Sequence, residues 1–316
     1  MSTYKESQNH VKKAIDSILN QTWKEIEFII INDNPKDELI NSLILEYKDA
    51  RIVYLRNEEN MGLAFSLNRG IKHAKGNYLA RMDADDISLP NRIEEQVRFL
   101  QSNTDVSIVG CWIISIDKYG IHSNNVSKCP TSHREIKAAT FLGAPMFHPS
   151  VIFRKNVFEQ HNLSYNEKYK YSQDYELWSR AVHKVKVCNL ETPLLLWRDT
   201  DNRASRKNVD TQSEYVYQVH REQLERIGVP TTNRNIRIHN DLYLTKVKNL
   251  CEVIWQLAWI FMILNNNNKF KVFPTKELAK TLLYHYKVAV KRNKWKFIGL
   301  PLWSVCKFAL LFVYRN

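Results

Sequence analysis

The chain has 316 residues, and its 46 lysines and arginines against 33 acidic residues give a formal net charge of +13. Apolar residues make up 44%, which supports a sizeable core and excludes a disordered chain. With eight glycines, the chain shows no glycine-rich dinucleotide or P-loop motif and no nucleophile elbow. A mean hydropathy of −0.42 argues against a polytopic membrane protein.

Strand and helix signals alternate through the first hundred residues. Apolar residues at helical spacing predict a helix over about 11–19, and the β-branched run 28–31 predicts a buried strand. The elements predicted next are helix 39–47, strand 52–55, helix 63–74, strand 78–82, a helix after Pro90 and strand 106–114. This alternation is typical of an α/β fold with a mostly parallel sheet.

Later signals are more mixed. Strands are predicted at 150–153 and 194–197, a helix at 174–183, and only helices from about 206 onward. We therefore expect an α/β domain over 1–205 and a helical region over 206–316. Residues 266–316 hold 11 basic residues and one acidic residue, so they carry +10 of the net charge of +13. The helical region is thus a basic tail on a nearly neutral body.

Two acidic turns follow predicted strands, Asp33 after the strand 28–31 and Asp83-Ala-Asp85-Asp86 after the strand 78–82. Ligands of open α/β sheets bind at such carboxyl ends. Carboxylates packed this closely repel one another unless a cation neutralises them, and oxygen ligands suit Mg²⁺ or Mn²⁺. Alternatively, Asp85 or Asp86 caps the helix after Pro90. The spacing alone leaves both interpretations open.

Several longer motifs occur in a characteristic order. They are Gln21-Thr-Trp23, Ile30-Ile-Asn-Asp33, Asn60-Met-Gly-Leu63, the stretch GNYLARMDADDISLPNR from Gly76 to Arg92, His148-Pro-Ser-Val-Ile-Phe-Arg154 and Gln173-Asp-Tyr-Glu-Leu-Trp178. The series resembles the family 2 glycosyltransferases, inverting enzymes with the GT-A fold, of the type found in bacterial polysaccharide biosynthesis. The resemblance ends near Arg198 and implies a Rossmann-like mixed sheet flanked by helices.

The resemblance also implies a nucleotide-diphospho-sugar donor, expected to be a UDP-sugar. Thr3 and Tyr4 would line the nucleoside pocket, and Asp33 would hydrogen-bond the uracil. Asp83 would face the ribose or sugar and the metal. Asp85 would bind the metal, Mn²⁺ or Mg²⁺, that bridges the diphosphate. A cation at this place would neutralise the leaving diphosphate.

An inverting transfer also needs one base to accept the proton of the acceptor hydroxyl, and the resemblance assigns this role to Asp174. Arg198 would contact the diphosphate, with a surface salt bridge as the alternative. His148 would either approach the substrates or pack as a hydrogen-bonded core histidine. Trp178 is expected in the core, with a floor for a sugar as the alternative.

The main departure from the family pattern lies at the start. In the family an apolar strand precedes the segment that corresponds to residues 2–6, whereas here the first β-strand is apparently missing. We expect its loss to expose the neighbouring strand edges and the nucleoside pocket, and we expect the true start codon to lie upstream. If Met1 is the true start, Thr3 and Tyr4 become doubtful ligands.

The tail contains two apolar segments. Residues 253–264 are too few to span a bilayer, and residues 297–314 are interrupted by Pro301 and Lys307. Together with the basic stretch 287–296, they predict that residues 251–316 bind an anionic membrane surface. A helical subdomain packed on the catalytic domain and a spanning helix at 297–314 are the alternatives.

These observations predict a metal-dependent inverting glycosyltransferase. Its acceptor would be a hydroxyl of a glycan or a lipid-linked glycan. The polar first residues predict no secretory signal, and the five widely spaced cysteines predict reduced thiols. We therefore expect a cytoplasmic enzyme on the inner face of the plasma membrane. The alternative is a catalytically impaired, truncated homologue that binds a membrane or a partner. Nucleic acid is not expected as a partner, because the basic residues are interleaved with aliphatic runs.

Overall fold

The computed structural model describes residues 1–199 and 209–292. Contacts divide the chain into two compact units. The first unit consists of Met1–His133 and Pro145–Gln212, and the second of Arg134–Ala144 and Ser213–Asn316. The predicted domain boundary at 205 lies outside the described residues.

The first unit combines strands and helices, as the alternating sequence signals predict. Its strands are β1 (Ser2–Thr3), β2 (Phe28–Asn32), β3 (Ile52–Arg56), β4 (Tyr78–Ala80), β5 (Ile87–Ser88), β6 (Val106–Ile116), β7 (His122–Ser127), β8 (Ile152–Arg154) and β9 (Lys186–Arg198). Its helices are α1 (Gln8–Leu19), α2 (Glu38–Glu46), α3 (Leu63–His73), α4 (Arg92–Ser102), α6 (Lys155–Gln160) and α7 (Gln173–Ala181). Helix α5 (His133–Ala139) begins at the last residue of this unit's first segment.

Two sheets organise this unit. Strands β1, β2 and β3 form a parallel sheet in that order, and a second, mixed sheet has the order β4-β8-β6-β9-β5 with β7 paired to β6. In the mixed sheet β6 and β9 are parallel, whereas β4–β8, β6–β8, β5–β9 and β6–β7 are antiparallel. The predicted mixed α/β fold with flanking helices is confirmed. The antiparallel pairs involve β4 and β8, which the sequence predicts as strands, and β5 and β7, which it does not.

Helix α1 shows how local sequence sets the structure. Val11, Ala14, Ile15 and Ile18 form its buried face, as their spacing predicts. The Ser7 hydroxyl accepts a hydrogen bond from the main-chain N–H of His10 at 3.3 Å, which satisfies one free donor of the first turn. The buried face packs with Phe28 and Ile30 of β2 in one apolar cluster. This packing fixes the carboxyl end of β2, where Asp33 begins the next turn.

Strand β1 is two residues long and lies where the two sheets meet. Ser2 pairs in parallel with Ile31 of β2 and also with Asp83 beyond β4. The Met1 amino group donates to Ile29 O at 2.9 Å. Near Met1 lies a cavity of about 470 Å³. Its apolar lining includes Ile29, Ile31, Leu67, Ile71, Leu79 and Phe153. The end of the expected first strand is therefore present, and an apolar cavity lies between β2 and β4.

The second unit is helical in its described part. It comprises most of α5 and most of α8 (Val209–Arg226), with α9 (Asn233–Tyr243), α10 (Leu250–Phe270) and α11 (Thr275–Arg292). Trp259, Ile260 and Ile263 of α10 pack in its core with Phe141 and Leu282. The prediction of helices beyond residue 206 is confirmed for residues 209–292. No helix within the described ranges is long and apolar enough to cross a membrane. The apolar segment 297–314 lies outside those ranges.

Candidate active site

Three aspartates gather in the turn that follows β4. One carboxylate oxygen each from Asp83, Asp85 and Asp86 lies within 4.8 Å of the other two. The side chain of Asp83 is 35% exposed, whereas Asp86 is buried. Asp85 is also partly exposed, so the turn presents a compact set of oxygen atoms with two of its three members open to solvent. Such a donor set fits Mg²⁺ or Mn²⁺, which prefer oxygen ligands.

Burial and the repulsion of neighbouring carboxylates make Asp85 and Asp86 hard to ionise. Burial, together with the charges of Asp83 and Glu6, raises the pKa of Asp85 to about 7. Burial and the charges of Asp83 and Asp85 raise the pKa of Asp86 well above its usual value. The negative charges of the cluster therefore repel one another, and a bound cation would relieve that repulsion.

Arg198 at the end of β9 holds this turn in place. Its main-chain N–H donates to Asp86 Oδ1 at 2.8 Å, and its Nε donates to Asp85 O at 2.7 Å. Its Nη1 donates to Asp117 O at 2.9 Å, whereas Nη2 finds no partner among the described residues. The guanidinium therefore fixes the backbone of the acidic turn, with one nitrogen left over. Neither Asp85 nor Asp86 caps α4, whose N-cap position belongs to Asn91.

Arg81 is a second buried cation at the cluster. Its Nη2 forms an ion pair with Asp83, and its side chain is 5% exposed. Its Nε and Nη1 find no hydrogen-bond partner among the described residues. The main chain of Arg81 is held on both sides, because its N–H donates to Val151 O at 2.9 Å and its carbonyl accepts from Arg92 Nη2 at 2.6 Å. Arg81 is not among the residues predicted for the site.

Arg92 is fully buried and supports Arg81 from α4. Its Nη1 donates to Ser88 Oγ at 3.0 Å and its Nε to Gln96 Oε1 at 3.1 Å. Burial lowers the pKa of Arg92 to about 10, so the group remains a cation at neutral pH. Gln96 in turn donates to Val109 O and Ser150 O at 3.1 and 2.8 Å. A buried hydrogen-bond network therefore connects the mixed sheet to the acidic turn.

Asp33 lies at the carboxyl end of β2 and organises the loop before α3. Its Oδ1 accepts from Asn57 Nδ2 at 2.6 Å and from the main-chain N–H of Met61 at 2.9 Å. Its Oδ2 accepts from the main-chain N–H of Gly62 at 2.9 Å. Gly62 has a φ of 88°, a conformation that favours glycine. The carboxylate thus anchors the start of α3, and no contact of Asp33 with the aspartate cluster is recorded within the described residues.

The segment after β1 adds a further carboxylate. Glu6 Oε2 accepts hydrogen bonds from Thr3 Oγ1 at 2.8 Å and from the main-chain N–H of Tyr4 at 2.7 Å. The charge of Glu6 also contributes to the raised pKa of Asp85. Thr3 and Tyr4 therefore lie on the same side of the unit as the acidic turn. Glu6 is not among the residues predicted for the site, because its type and position alone carry no specific signal.

Asp174 stands in the first turn of α7, as its motif predicts, and is half-buried. Burial raises the pKa of its carboxyl group. The main-chain N–H groups of Asp174 and Tyr175 and the charge of Arg81 act in the opposite direction. Ser172, the N-cap residue of α7, has a φ of 61° and so turns the chain sharply into the helix. The charge of Asp83 adds a smaller effect that also raises the pKa of Asp174.

The remaining predicted residues form a buried aromatic wall. His148 Nε2 lies 2.8 Å from Tyr165 Oη, and burial lowers the pKa of His148 well below its usual value. Its ring also packs edge-on against Trp178, with centroids 6.2 Å apart. Trp178 is completely buried, which supports the core interpretation over a floor for a sugar. Arg81 influences the pKa values of both His148 and Tyr165. Tyr165, which the sequence did not reveal, therefore belongs to the same wall.

Comparisons with known proteins identify related sequences and structures. Residues 1–161 match the family model described as glycosyl transferase family 2. An uncharacterized glycosyltransferase of Methanocaldococcus jannaschii is 36% identical over 226 residues, which cover 70% of this chain and 77% of that protein. The amylovoran biosynthesis glycosyltransferase AmsE of Erwinia amylovora is 30% identical over 184 residues, which cover 56% of this chain and 66% of that protein.

A solved structure shows the same fold. The crystal structure of S. aureus TarS residues 1–349 in complex with UDP-GlcNAc aligns with a TM-score of 0.58 at 14% identity. The alignment covers 92% of this chain and 88% of that one. The motifs, the acidic turn at the strand end and the matched family model agree with one another. The chain belongs to glycosyltransferase family 2 and is a transferase with the GT-A fold.

Proposed function

We propose that this glycosyltransferase moves a sugar from a UDP-sugar, with inversion at the anomeric carbon, to a hydroxyl group of a glycan or lipid-linked glycan. The observation that carries the proposal is the set of carboxylate oxygens of Asp83, Asp85 and Asp86 within 4.8 Å of one another. The charge of Asp83 also acts on the carboxyl group of Asp174. The three-aspartate cluster fits a cation that binds a diphosphate, and Asp174 fits a base. The TarS complex with UDP-GlcNAc supports a nucleotide-sugar as the donor.

Asp83 and Asp85 would hold the divalent cation, Mn²⁺ or Mg²⁺. When bound, such a cation neutralises the charge that develops on the leaving diphosphate. The unpaired Nη2 of Arg198 would give the diphosphate an additional donor from the wall of the turn. Thr3, Tyr4 and Asp33 would line the nucleoside pocket. Asp33 would contribute a carboxylate already held by the loop before α3.

Asp174 would accept the proton of the acceptor hydroxyl. A single displacement with inversion needs one base and forms no covalent intermediate. Burial raises the pKa of this carboxyl group, which makes it a better proton acceptor than an exposed aspartate. Its own N–H, that of Tyr175 and Arg81 keep it ionised. The position in the first turn of α7 adds the favourable helix dipole.

A surface polysaccharide fits as the product, because one relative acts in amylovoran biosynthesis. We further propose that residues 1–205 perform the chemistry, while residues 251–316 rest on the anionic inner face of the plasma membrane. Helix α10 supports this, because Ile254 and Trp255 are 54% and 47% exposed and Arg234 lies over the Trp255 ring at 5.5 Å. Exposed apolar and aromatic groups beside cations suit a lipid surface. The enzyme would then act on acceptors held at the cytoplasmic side of the membrane.

Calorimetry of UDP binding tests the donor site without knowledge of the acceptor. We expect the wild type to bind UDP in the presence of Mn²⁺ and at least tenfold more weakly without it. Asp85→Asn should lose the dependence on Mn²⁺. Asp105→Asn is a matched control, because Asp105 pairs with Lys186 and has a 65% exposed side chain. A folded wild type that binds no UDP, or Asp85→Asn behaving like the control, would refute the proposed donor site.

Vesicle flotation tests the membrane proposal. The full chain should float with vesicles that contain phosphatidylglycerol and remain in the lower fraction with neutral phosphatidylcholine vesicles. The double variant Ile254→Ser, Trp255→Ser should reduce flotation while leaving UDP binding unchanged. Equal recovery with both kinds of vesicle, or no flotation at all, would contradict an electrostatic membrane contact.

A further inference from the structure

Arg81 is placed to compete with a divalent cation. Its guanidinium is paired with Asp83, the half-exposed member of the aspartate cluster. Asp83 is also a proposed metal ligand, and a carboxylate oxygen that faces an arginine donates less electron density to a metal ion. Because only 5% of the Arg81 side chain is exposed, solvent screens this ion pair only weakly.

Arg81 also has unused hydrogen-bonding capacity. Its Nε and Nη1 are buried without a partner among the described residues, although a buried charged donor normally has its bonds satisfied. Its main chain is held by Val151 and Arg92, so the residue cannot withdraw from the site. A cation fixed in this way and only partly paired points to an anionic group that arrives later.

We propose that Arg81 is the internal counter-ion of the aspartate cluster, and that it exchanges Asp83 for an anionic oxygen of the nucleotide diphosphate when metal and nucleotide bind together. This inference rests on the proposed function. Before the donor binds, the guanidinium is paired with the Asp83 carboxylate and weakens the binding of metal alone. When the diphosphate arrives, the guanidinium bonds to it and releases Asp83 to the metal.

Such an exchange makes metal and nucleotide binding cooperative. The factor by which UDP strengthens Mn²⁺ binding must equal the factor by which Mn²⁺ strengthens UDP binding. Arg81 contributes to that factor because the diphosphate draws Arg81 away from Asp83, which strengthens metal binding. The metal in turn draws Asp83 away from Arg81, which strengthens diphosphate binding. The same electrostatic field reaches Asp174 and Tyr165, so the exchange would also tie the occupancy of the donor site to the surroundings of the base.

Mn²⁺ binding followed by electron paramagnetic resonance, with and without UDP, tests the inference on the full chain. In Arg81→Met and Arg81→Gln we expect Mn²⁺ alone to bind at least fivefold more tightly than in the wild type. The strengthening of Mn²⁺ binding by UDP should fall at least tenfold. Arg81→Lys keeps the charge but lacks the planar fork. It should leave binding of Mn²⁺ alone within twofold and reduce the strengthening at least threefold.

A matched control is Arg51→Met, because Arg51 forms a two-bond pair with Asp49 at the opposite end of β3 from the site. It should change neither quantity. Circular dichroism identifies variants that fold, and Arg81→Lys alone decides the outcome if neither neutral variant does. Unchanged strengthening in a folded Arg81 variant would overturn the inference while leaving the donor site intact. A wild type that binds neither Mn²⁺ nor UDP would instead refute the proposed function, and the inference with it.

Discussion

Replacing Asp33 by asparagine tests whether this carboxylate shapes the donor side of the site. Asp33 accepts three hydrogen bonds, from Asn57 Nδ2 at 2.6 Å and from the N–H groups of Met61 and Gly62, both at 2.9 Å. An amide in its place turns an NH₂ group toward at least one of these donors, whichever way it is oriented. The lost bond and the unsatisfied N–H cost about 1–3 kcal/mol, and weakening of the two remaining charge-assisted bonds raises the total to about 3 kcal/mol.

Urea unfolding followed by circular dichroism measures this loss directly. A loss of about 3 kcal/mol corresponds to a fall in Tm of about 6–12 °C for a domain of this size. Asp37→Asn is the matched control. Asp37 caps α2 by accepting from the N–H of Ile40 at 3.1 Å, and asparagine caps a helix about as well. The control should stay within about 0.5 kcal/mol of the wild type. Asp33→Asn behaving like the control would refute the argument that this carboxylate anchors the loop before α3.

Three further outcomes follow from the geometry. Asp174→Asn should lower the turnover number by about 10²–10⁴-fold while leaving the Kd for UDP with Mn²⁺ within twofold, which calorimetry and a sugar-transfer assay would measure. Burial lowers the pKa of His220 to about 4, so between pH 6.5 and 4 the unfolded chain binds a proton that the folded chain does not. Stability should therefore fall by up to about 3 kcal/mol on acidification through that range, and His220→Gln should reduce the pH dependence of urea unfolding. Gly110→Ala should cost about 1–3 kcal/mol, because the added Cβ would lie 2.1 Å from Asn189 Oδ1 in the buried sheet; an unchanged Tm would contradict this.

Elements with a strong local signal were predictable from sequence. Helix α1 has a regular apolar face, and β2 is a continuous β-branched run, so short-range patterns identify both. Strand β5 could not be recognised, because it has two residues and its partner is Leu195–Leu196 more than a hundred residues later. The predicted strand 78–82 ends at Ala80, because Ala80 pairs with Ile152, the first residue of its partner β8. Non-local pairing therefore accounts for these differences.

Some residues of the candidate site could likewise be predicted from sequence, and others could not. The aspartates follow apolar strands, so their position at a strand end could be inferred from sequence, and the family motifs identify Asp174. Tyr165 could not be inferred, because its place depends on its hydrogen bond to His148. Arg81 left one usable signal, since a charged residue in the otherwise apolar segment 78–82 is unusual in a buried strand. Its ion pair with Asp83 became visible only once the turn was folded.

Ser2 connects the two sheets at the candidate site. It pairs with Ile31 of the parallel sheet and with Asp83 beside the mixed sheet, and the cavity between β2 and β4 lies next to this double pairing. Asp33 follows β2 of the parallel sheet, and Asp83 follows β4 of the mixed sheet. A ligand that contacts both carboxylates would tie the two sheets together, and its binding free energy would oppose their local separation. Amide hydrogen exchange at Ile31 and Asp33, whose N–H groups donate to Met1 O and Thr3 O, would then slow when the donor binds. Donor binding would therefore add to the connection between the two sheets that the two-residue strand β1 makes.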